Sequence, residues 1–245
     1  MKLNRLSVDR YKLDNPVTLP LAPDHERYIH LLVGEVKLRW DDGGGSLIVG
    51  RRDSVFSPPK DGYLLVDGSA SIHVEPLGGP ADVLVASAPS KTPHDTTWRS
   101  HPVWPKVHKI GDGNCQRTVY EILGADGPSR HLRCGETVNQ RGGWSSYPPH
   151  SFDMDETNAP QFEEVFVAFT RPRNGYALMR RKGKYWDGTD ADDVAIIRSG
   201  EMLSAPLGSH PIVGAPNTEV MYVWFYISPV SKQYGKWAED CGTYI

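Results

Sequence analysis

The stretch GETVNQRGGWSSYPPHSFDMDETNAPQFEEVFVAF, residues 135–169, combines a clear strand pattern with the strongest candidate chemistry of the chain. Its last eight residues are mostly aromatic or β-branched, a composition that favours a β-strand. Upstream, two successive prolines restrict the backbone to extended conformations just before His150. Glu163 and Glu164 begin the apolar run. The stretch therefore predicts a histidine and a carboxylate pair on separate extended segments of a β scaffold.

The rest of the chain shows the same organisation. The sequence contains 24 Gly and 20 Pro, and short runs of Val, Ile, Leu and aromatic residues separate them. This pattern is typical of many strands joined by turns, and no long segment keeps a helical period. Asn174-Gly175 is a hairpin signal, so residues 176–181 are expected to return antiparallel to the strand at 162–169. Residues 220–227 predict a central strand covered on both faces.

Two strand-rich blocks of similar size are separated by a segment rich in Pro, Ser and Thr, residues 87–104, which is the best linker candidate. The boundaries that follow are 1–100 for an N-terminal domain, with residues 1–24 as an extended arm, and 101–245 for a C-terminal domain. The fold class is therefore all-β, and the two blocks suggest an internally duplicated β-barrel.

Composition excludes several classes of function. The net charge of −3 argues against nucleic-acid binding, which needs a basic face. No apolar run is long enough to span a membrane, and the first residues lack the apolar centre of a signal peptide, so a cytoplasmic location is expected. The three cysteines form no CxxC pair, so neither a disulfide framework nor a zinc knuckle is indicated.

A second histidine, His210, occupies a similar corner in the sequence SAPLGSHP. His150, Glu164 and His210 form a set of two histidines and one carboxylate, which suits a divalent ion such as Zn, Mn, Fe or Ni and leaves coordination positions open. Such an ion could act as a Lewis acid on a sugar carbonyl and its neighbouring hydroxyl, or as an Fe(II) centre that activates oxygen. The alternative is structural, with His150 capping a turn and the two glutamates on a solvated strand edge.

Several longer phrases resemble the 5-deoxy-glucuronate isomerase family of myo-inositol catabolism, which is related to the 5-keto-4-deoxyuronate isomerases. These phrases are GET…GGWSSYPPH, FEEVFVAF, NGYALMR, APLGSHP, GRRDSVFSPPKDGYLLVDGS and VLVASAPS. The resemblance spans most of the chain, and the Trp-Ser-Ser-Tyr-Pro-Pro-His run is its most specific part. It implies a bicupin, two antiparallel β-barrel (jelly-roll) domains with a metal in the C-terminal one, and isomerisation of 5-deoxy-glucuronate to 5-dehydro-2-deoxy-gluconate.

The resemblance also implies roles for individual residues. His150, Glu164 and His210 match three metal ligands of the family. The family's second histidine, in the pattern Pro-Pro-His-Lys-His-Asp, is replaced here by Phe152, which cannot bind a metal. Met179-Arg180 replaces a Gln-Arg pair, and residues 224–227, Trp-Phe-Tyr-Ile, replace the usual Leu-Asn-Val-Met.

The sequence thus predicts a metal-dependent aldose–ketose isomerase that acts on a small sugar acid through a metal-stabilised enediolate. Glu163 and Tyr147 are the candidate bases, and Arg180 is a candidate partner of the substrate carboxylate, with a surface salt bridge as the alternative. Loss of one ligand leaves two other hypotheses open, a non-catalytic sugar-binding bicupin with a degenerate metal site and an Fe(II) oxygenase. The long apolar strand at 220–227 could belong to the core or to a homo-oligomer interface.

Overall fold

A computed structural model describes residues 3–41, 45–60, 62–68, 71–90, 101–103, 105–124, 129, 131–147, 150–151, 163–227 and 236–237. The chain divides into two compact units. The N-terminal unit comprises Leu6–Pro105 and Ile122–Leu132. The C-terminal unit comprises Met1–Arg5, Lys106–Glu121 and Arg133–Ile245. The domain boundary between residues 100 and 101 remains a prediction.

The N-terminal unit contains eight strands in one antiparallel sheet system. They are β1 (Ser7–Leu13), β2 (Val17–Leu19), β3 (Ala22–Trp40), β4 (Ser46–Arg52), β5 (Gly62–Gly68), β6 (Ile72–Pro76), β7 (Ala81–Pro89) and β8 (His101–Val103). The main order is β1-β7-β3-β5-β8, with β4 and β6 also on the long strand β3 and β2 on β6. Residues 25–33 of β3 pair with β7, and residues 34–40 pair with β4 and β6.

The N-terminal unit contains a buried apolar cluster. Its buried cluster contains only aliphatic side chains, including Ile29, Leu38 and Val74, each at most 1% exposed.

The same unit also buries polar side chains. Arg52 is 1% exposed and donates to the carbonyl oxygen of Leu31, and the buried hydroxyl of Tyr28 hydrogen-bonds with His30. His73 is half-exposed and contacts Thr18 and Asp41.

The C-terminal unit is also built from β-strands, with one short 3₁₀ helix (Gly113–Cys115). The strands are β9 (Lys106–Ile110), β10 (Arg117–Leu123), β11 (Leu132–Asn139), β12 (Trp144–Ser145), β13 (His150–Ser151), β14 (Glu163–Arg171), β15 (Tyr176–Lys184), β16 (Asp190–Arg198), β17 (Met202–Ala205), β18 (Leu207–Ser209), β19 (Ile212–Gly214), β20 (Glu219–Ile227) and β21 (Lys236–Trp237).

These strands form two main sheets around one core. The first has the order β17-β14-β20-β11-β10-β9. The second has the order β12-β19-β15-β16 with β18 on β15, and β13 pairs with β21. The buried cluster takes side chains from both sheets, such as Phe166 and Tyr222 from the first and Met179 and Ile212 from the second. Inward-facing side chains of the two sheets therefore enclose the interior of the unit, as in a jelly-roll barrel.

Residues 7–13 of the predicted extended arm form β1, which pairs along its whole length with β7. One local prediction from the sequence, the hairpin after residue 169, is wrong. Strands β14 and β15 follow one another through the turn that contains Asn174-Gly175, but they do not pair. β14 lies between β17 and β20, whereas β15 pairs with β16, β18 and β19. The turn carries the chain from one sheet to the other instead of closing a hairpin.

The Asp187-Gly188 turn joins β15 to β16 in a regular hairpin. Strand β20 is central in its sheet and mostly buried. Of the predicted linker, residues 87–89 belong to β7 and 101–103 form β8, while 91–100 lie outside the described residues. The described part contains no α-helix, and none of its helices could cross a membrane. The all-β bicupin fold is confirmed.

Candidate metal centre

Glu163 and Glu164 point to opposite faces of β14, because successive side chains on a strand alternate. Glu164 shares its face with Phe166 and Ala168, both members of the inner cluster of the C-terminal unit. Glu163 lies on the other face. Its carboxylate accepts hydrogen bonds of 3.0 Å from the backbone N–H groups of Asn4 and Arg5. Both glutamates are nearly fully buried, so a simple solvated strand edge does not describe them.

His210 reaches the same interior through a corner between the two sheets. β17 ends at Ala205 in the first sheet, and β18 then pairs with β15 in the second. The corner needs glycine at position 208, where φ is +140° and an added Cβ would overlap the carbonyl oxygen of Lys182. His210 follows directly after β18. Its ring packs on Phe166 with centroids 5.3 Å apart.

Glu164 and His210 meet in the interior. The Oε2 atom of Glu164 lies 3.5 Å from Nε2 of His210, and the two side chains are 5% and 2% exposed. Oε2 of Glu164 accepts no hydrogen bond from the described residues. Burial raises the pKa of Glu164 well above its usual range, because the ionised carboxylate has lost water without gaining donors. An ionised Glu164 therefore requires a positive charge at this point.

The two atoms are spaced as ligands of one ion would be. With metal–ligand bonds of about 2.1 Å, ligand atoms on a common ion are about 3.0 Å apart at a right angle and about 3.4 Å apart at the tetrahedral angle. A buried carboxylate oxygen without donors and an imidazole nitrogen form a suitable donor pair for Zn, Mn, Fe or Ni. The residues present thus fit a divalent ion.

The third predicted ligand lies on a neighbouring strand. His150 begins β13, which pairs with β21, and β13 packs against β18, the strand that leads into His210. The side chain of His150, and all of Phe152, lie outside the described residues. Among the side chains that the structure describes, no group of three His, Cys, Asp or Glu is close enough to hold a metal. The described pair is Glu164 with His210.

The remaining predicted site residues lie in different surroundings. Tyr147 is half-buried at the end of the segment that precedes His150, and its ring packs on Trp144 with centroids 5.5 Å apart. Arg180 donates to the carboxylate of Asp192 and to the carbonyl oxygens of Arg181 and Asp193. Its side chain is 41% exposed. This arrangement is the surface salt bridge that the sequence left open as an alternative.

Sequence reasoning did not anticipate a buried polar network in the same interior. The hydroxyl of Tyr222 hydrogen-bonds with Ser145, Ser146 and Thr137, and burial raises the pKa of Tyr222. Asn139 donates to Ser145 through a 2.9 Å bond. The available signal was the alternation of Gly135, Thr137 and Asn139 along β11, which places small and polar residues at every second position of a buried strand. The pairing of β11 with β20 is needed to see that these residues lie beside Tyr222.

The chain is similar in sequence to a known protein family and to characterised enzymes. Residues 3–241 match the model of the KduI/IolB family. The 5-deoxy-glucuronate isomerase of Geobacillus kaustophilus is 29% identical over 218 residues, which cover 84% of this chain and 73% of that protein.

Among solved structures, an IolB-like protein from Salmonella typhimurium matches with a TM-score of 0.83 at 23% identity, over 97% of this chain and 89% of that one. The oxalate decarboxylase of Lactobacillus farciminis in its formate complex matches with a TM-score of 0.62 at 11% identity, over 94% of this chain and 79% of that one. The second likeness concerns the cupin-like fold alone. The family model matches nearly the whole length of the chain, so the chain belongs to the KduI/IolB family.

Proposed function

We propose that this protein is a metal-dependent aldose–ketose isomerase that acts on 5-deoxy-glucuronate or a related sugar acid. The observation that carries the proposal is the buried pair of Glu164 and His210, whose donor atoms are 3.5 Å apart at the predicted metal position. The names of the relatives support the isomerase class. His150 completes the proposed ligand set from the adjacent strand.

The chemistry of the reaction fits these residues. Moving a carbonyl from C1 to C2 transfers a proton between the two carbons, and negative charge develops on both oxygens in the enediolate. A divalent ion, when bound, supplies Lewis acidity to the carbonyl and the adjacent hydroxyl. Glu164 contributes a negative charge that holds such an ion, and the surrounding aromatic and aliphatic side chains exclude water from it.

The neighbouring glutamate takes no part in the proton transfer in this proposal. The carboxylate of Glu163 faces the opposite side of β14 and is occupied by two backbone N–H donors. Tyr147 remains the candidate base, because it lies three residues before His150 in the sequence. Arg180 lies at the surface in a salt bridge with Asp192, so in this proposal it does not bind the substrate carboxylate.

The test is an assay of 5-deoxy-glucuronate conversion, followed by NMR, with the metal-reconstituted protein and with chelator-treated protein. We expect 5-dehydro-2-deoxy-gluconate to form only with metal, and activity to fall at least a hundredfold in His210→Ala. The control is Arg180→Ala, which should keep most of the activity. Absence of turnover, together with stabilisation of the protein by the sugar acid, would instead favour the non-catalytic sugar-binding hypothesis.

A further inference from the structure

The outer face of the second sheet of the C-terminal unit carries a row of apolar side chains. Ala177, Met179 and Ile197 project into the inner cluster, so the residues that alternate with them on β15 and β16 face outward. The outward residues that lie directly opposite one another on four neighbouring strands are Trp144, Val213, Leu178 and Ile196. We call these four residues the apolar row, which crosses the sheet from β12 to β16.

The apolar row is most exposed at its β16 end. Trp144, Val213 and Leu178 are half-buried. Ile196 is 51% exposed, and Val194, on the same face of β16, is 55% exposed. Single apolar residues are common on protein surfaces, but adjacent ones that continue an apolar row mark an interaction surface. The surface for a partner therefore lies at β16.

Strand β16 is also the edge of its sheet. In the part of the chain that the structure describes, it pairs with β15 alone. The N–H of Arg180 on β15 donates to the carbonyl oxygen of Pro211, away from β16. Because backbone groups alternate in direction along an antiparallel strand, Val194, which lies opposite Arg180, and Ile196 direct their N–H and C=O groups to the open edge. The exposed apolar residues thus also present a row of backbone groups that a further strand can pair with.

Ionic side chains beside the apolar row are balanced within the chain. Arg180 forms an ion pair with Asp192, and the Nζ atom of Lys184 lies 2.6 Å from the carboxylate of Asp190. Exposed pairs of this kind contribute little to stability, but they leave no excess of one charge for a strongly basic or acidic partner to neutralise. The surface therefore suits a partner that is apolar at its centre.

The sequence of β16 is complementary to itself. When two copies of the strand pair antiparallel about Ala195, Val194 of each copy lies opposite Ile196 of the other. In the same register Asp192 of each copy lies opposite Arg198 of the other, which places opposite charges on both sides of the apolar centre. Asp192 and Arg198 are 70% and 66% exposed, so both can reach across the edge.

We propose that the open edge of β16 is a homodimer interface, in which two copies of the chain pair their β16 strands antiparallel about a twofold axis at Ala195. The same surface then serves both copies, as in other isologous dimers, and backbone hydrogen bonds join the two sheets into one. The interface uses the outer face and the edge of the sheet, so it does not depend on the proposed metal centre or reaction.

The first test is analytical ultracentrifugation of the full-length protein over a range of concentrations. We expect a dimer for the wild type, and a dimer Kd at least tenfold higher in Ile196→Lys and in Val194→Pro. Proline at 194 removes an N–H that faces the open edge, so it blocks the second copy and spares the pairing with β15. The matched control is Val107→Lys, which changes a 58% exposed residue on β9, an edge strand of the first sheet, and should keep the wild-type Kd.

The second test fixes the register by mixing two variants. Arg198→Glu alone places like charges opposite each other in the dimer, as Asp192→Lys alone does, and we expect each to dissociate more readily than the wild type. A mixture of the two variants restores opposite charges at both positions, so it should form a heterodimer with at least tenfold lower Kd than either homodimer.

Three results would overturn the proposal. One is a wild type that stays monomeric up to roughly 100 μM, which would leave the edge to a different protein. Another is a dimer that neither Ile196→Lys nor Val194→Pro weakens, and the third is a mixture with no more dimer than its separate components. Should Val194→Pro fail to fold, Ile196→Lys and the mixed variants carry the test.

Discussion

At the scale of single residues, Glu163 and Glu164 show how adjacent identical side chains acquire different roles. Glu163 anchors backbone N–H groups at the start of the chain, and Glu164 faces the interior near His210. Glu163→Gln should therefore lower the free energy of unfolding by about 1.5–3 kcal/mol, the contribution of hydrogen bonds to a charged group, and keep the metal. Glu164→Gln should lose the metal. Chemical denaturation and elemental analysis of both variants check this, and equal metal contents would contradict it.

The raised pKa of Glu164 predicts a pH dependence of the metal-free protein. A carboxyl whose pKa is higher in the folded state stabilises that state below its unfolded pKa, near 4.5, and this contribution is lost as the pH rises through the folded value. Glu164→Gln removes the effect. We expect the Tm of the metal-free variant to exceed that of the metal-free wild type by an amount that grows as the pH rises. Thermal unfolding of both proteins between pH 4 and pH 8 measures this difference. A constant difference in Tm would argue against a buried, ionisable Glu164.

The replacement of a family histidine by Phe152 gives a gain-of-function prediction. If His150, Glu164 and His210 already hold an ion, then Phe152→His adds a fourth ligand. We expect the variant to bind Zn or Mn at least tenfold more tightly than the wild type, measured by competition with a chelator. Phe152→Leu is the control for repacking alone. Unchanged affinity in Phe152→His would count against the ligand arrangement.

At the scale of elements, the corner between β17 and β18 delivers His210 to the interior. Gly208→Ala should destabilise the protein by about 1–3 kcal/mol, because φ is +140° there and the new methyl group meets the carbonyl of Lys182. It should also weaken metal binding. Gly188→Ala is the control, since that glycine also has positive φ but nothing within 4 Å of an added Cβ. Wild-type metal affinity in Gly208→Ala would exclude a positioning role for the corner.

Elements also show where sequence reasoning succeeds and where it stops. The run at 162–169 was predicted as a strand, and β14 spans Glu163–Arg171, because its β-branched and aromatic composition acts locally. The Asn174-Gly175 turn was recognised, but a turn signal does not say which sheet the next strand joins. Likewise, β1 pairs with β7 at sequence separations of 68 to 80 residues, a contact that no local pattern contains.

At the scale of the whole molecule, both units are built from β-sheets and both bury polar side chains. The N-terminal unit buries Glu26, Arg52 and His30 beside its aliphatic cluster, whereas the C-terminal unit contains the pair of Glu164 and His210 and the Tyr222 network. The assignment of the metal to the C-terminal barrel came from the family resemblance. Spacing alone could not supply it, because Glu164 and His210 are 46 positions apart and meet only through the sheet crossing at Pro206.

The most direct test of the account is the metal content of the purified, reconstituted protein, determined by elemental analysis for the wild type, Glu164→Gln and His210→Ala. We predict about one Zn, Mn, Fe or Ni ion per wild-type chain and loss of that ion in both variants, with Glu163→Gln retaining it. A wild-type protein that binds no metal after reconstitution, or variants that keep the wild-type stoichiometry, would contradict the proposed metal centre.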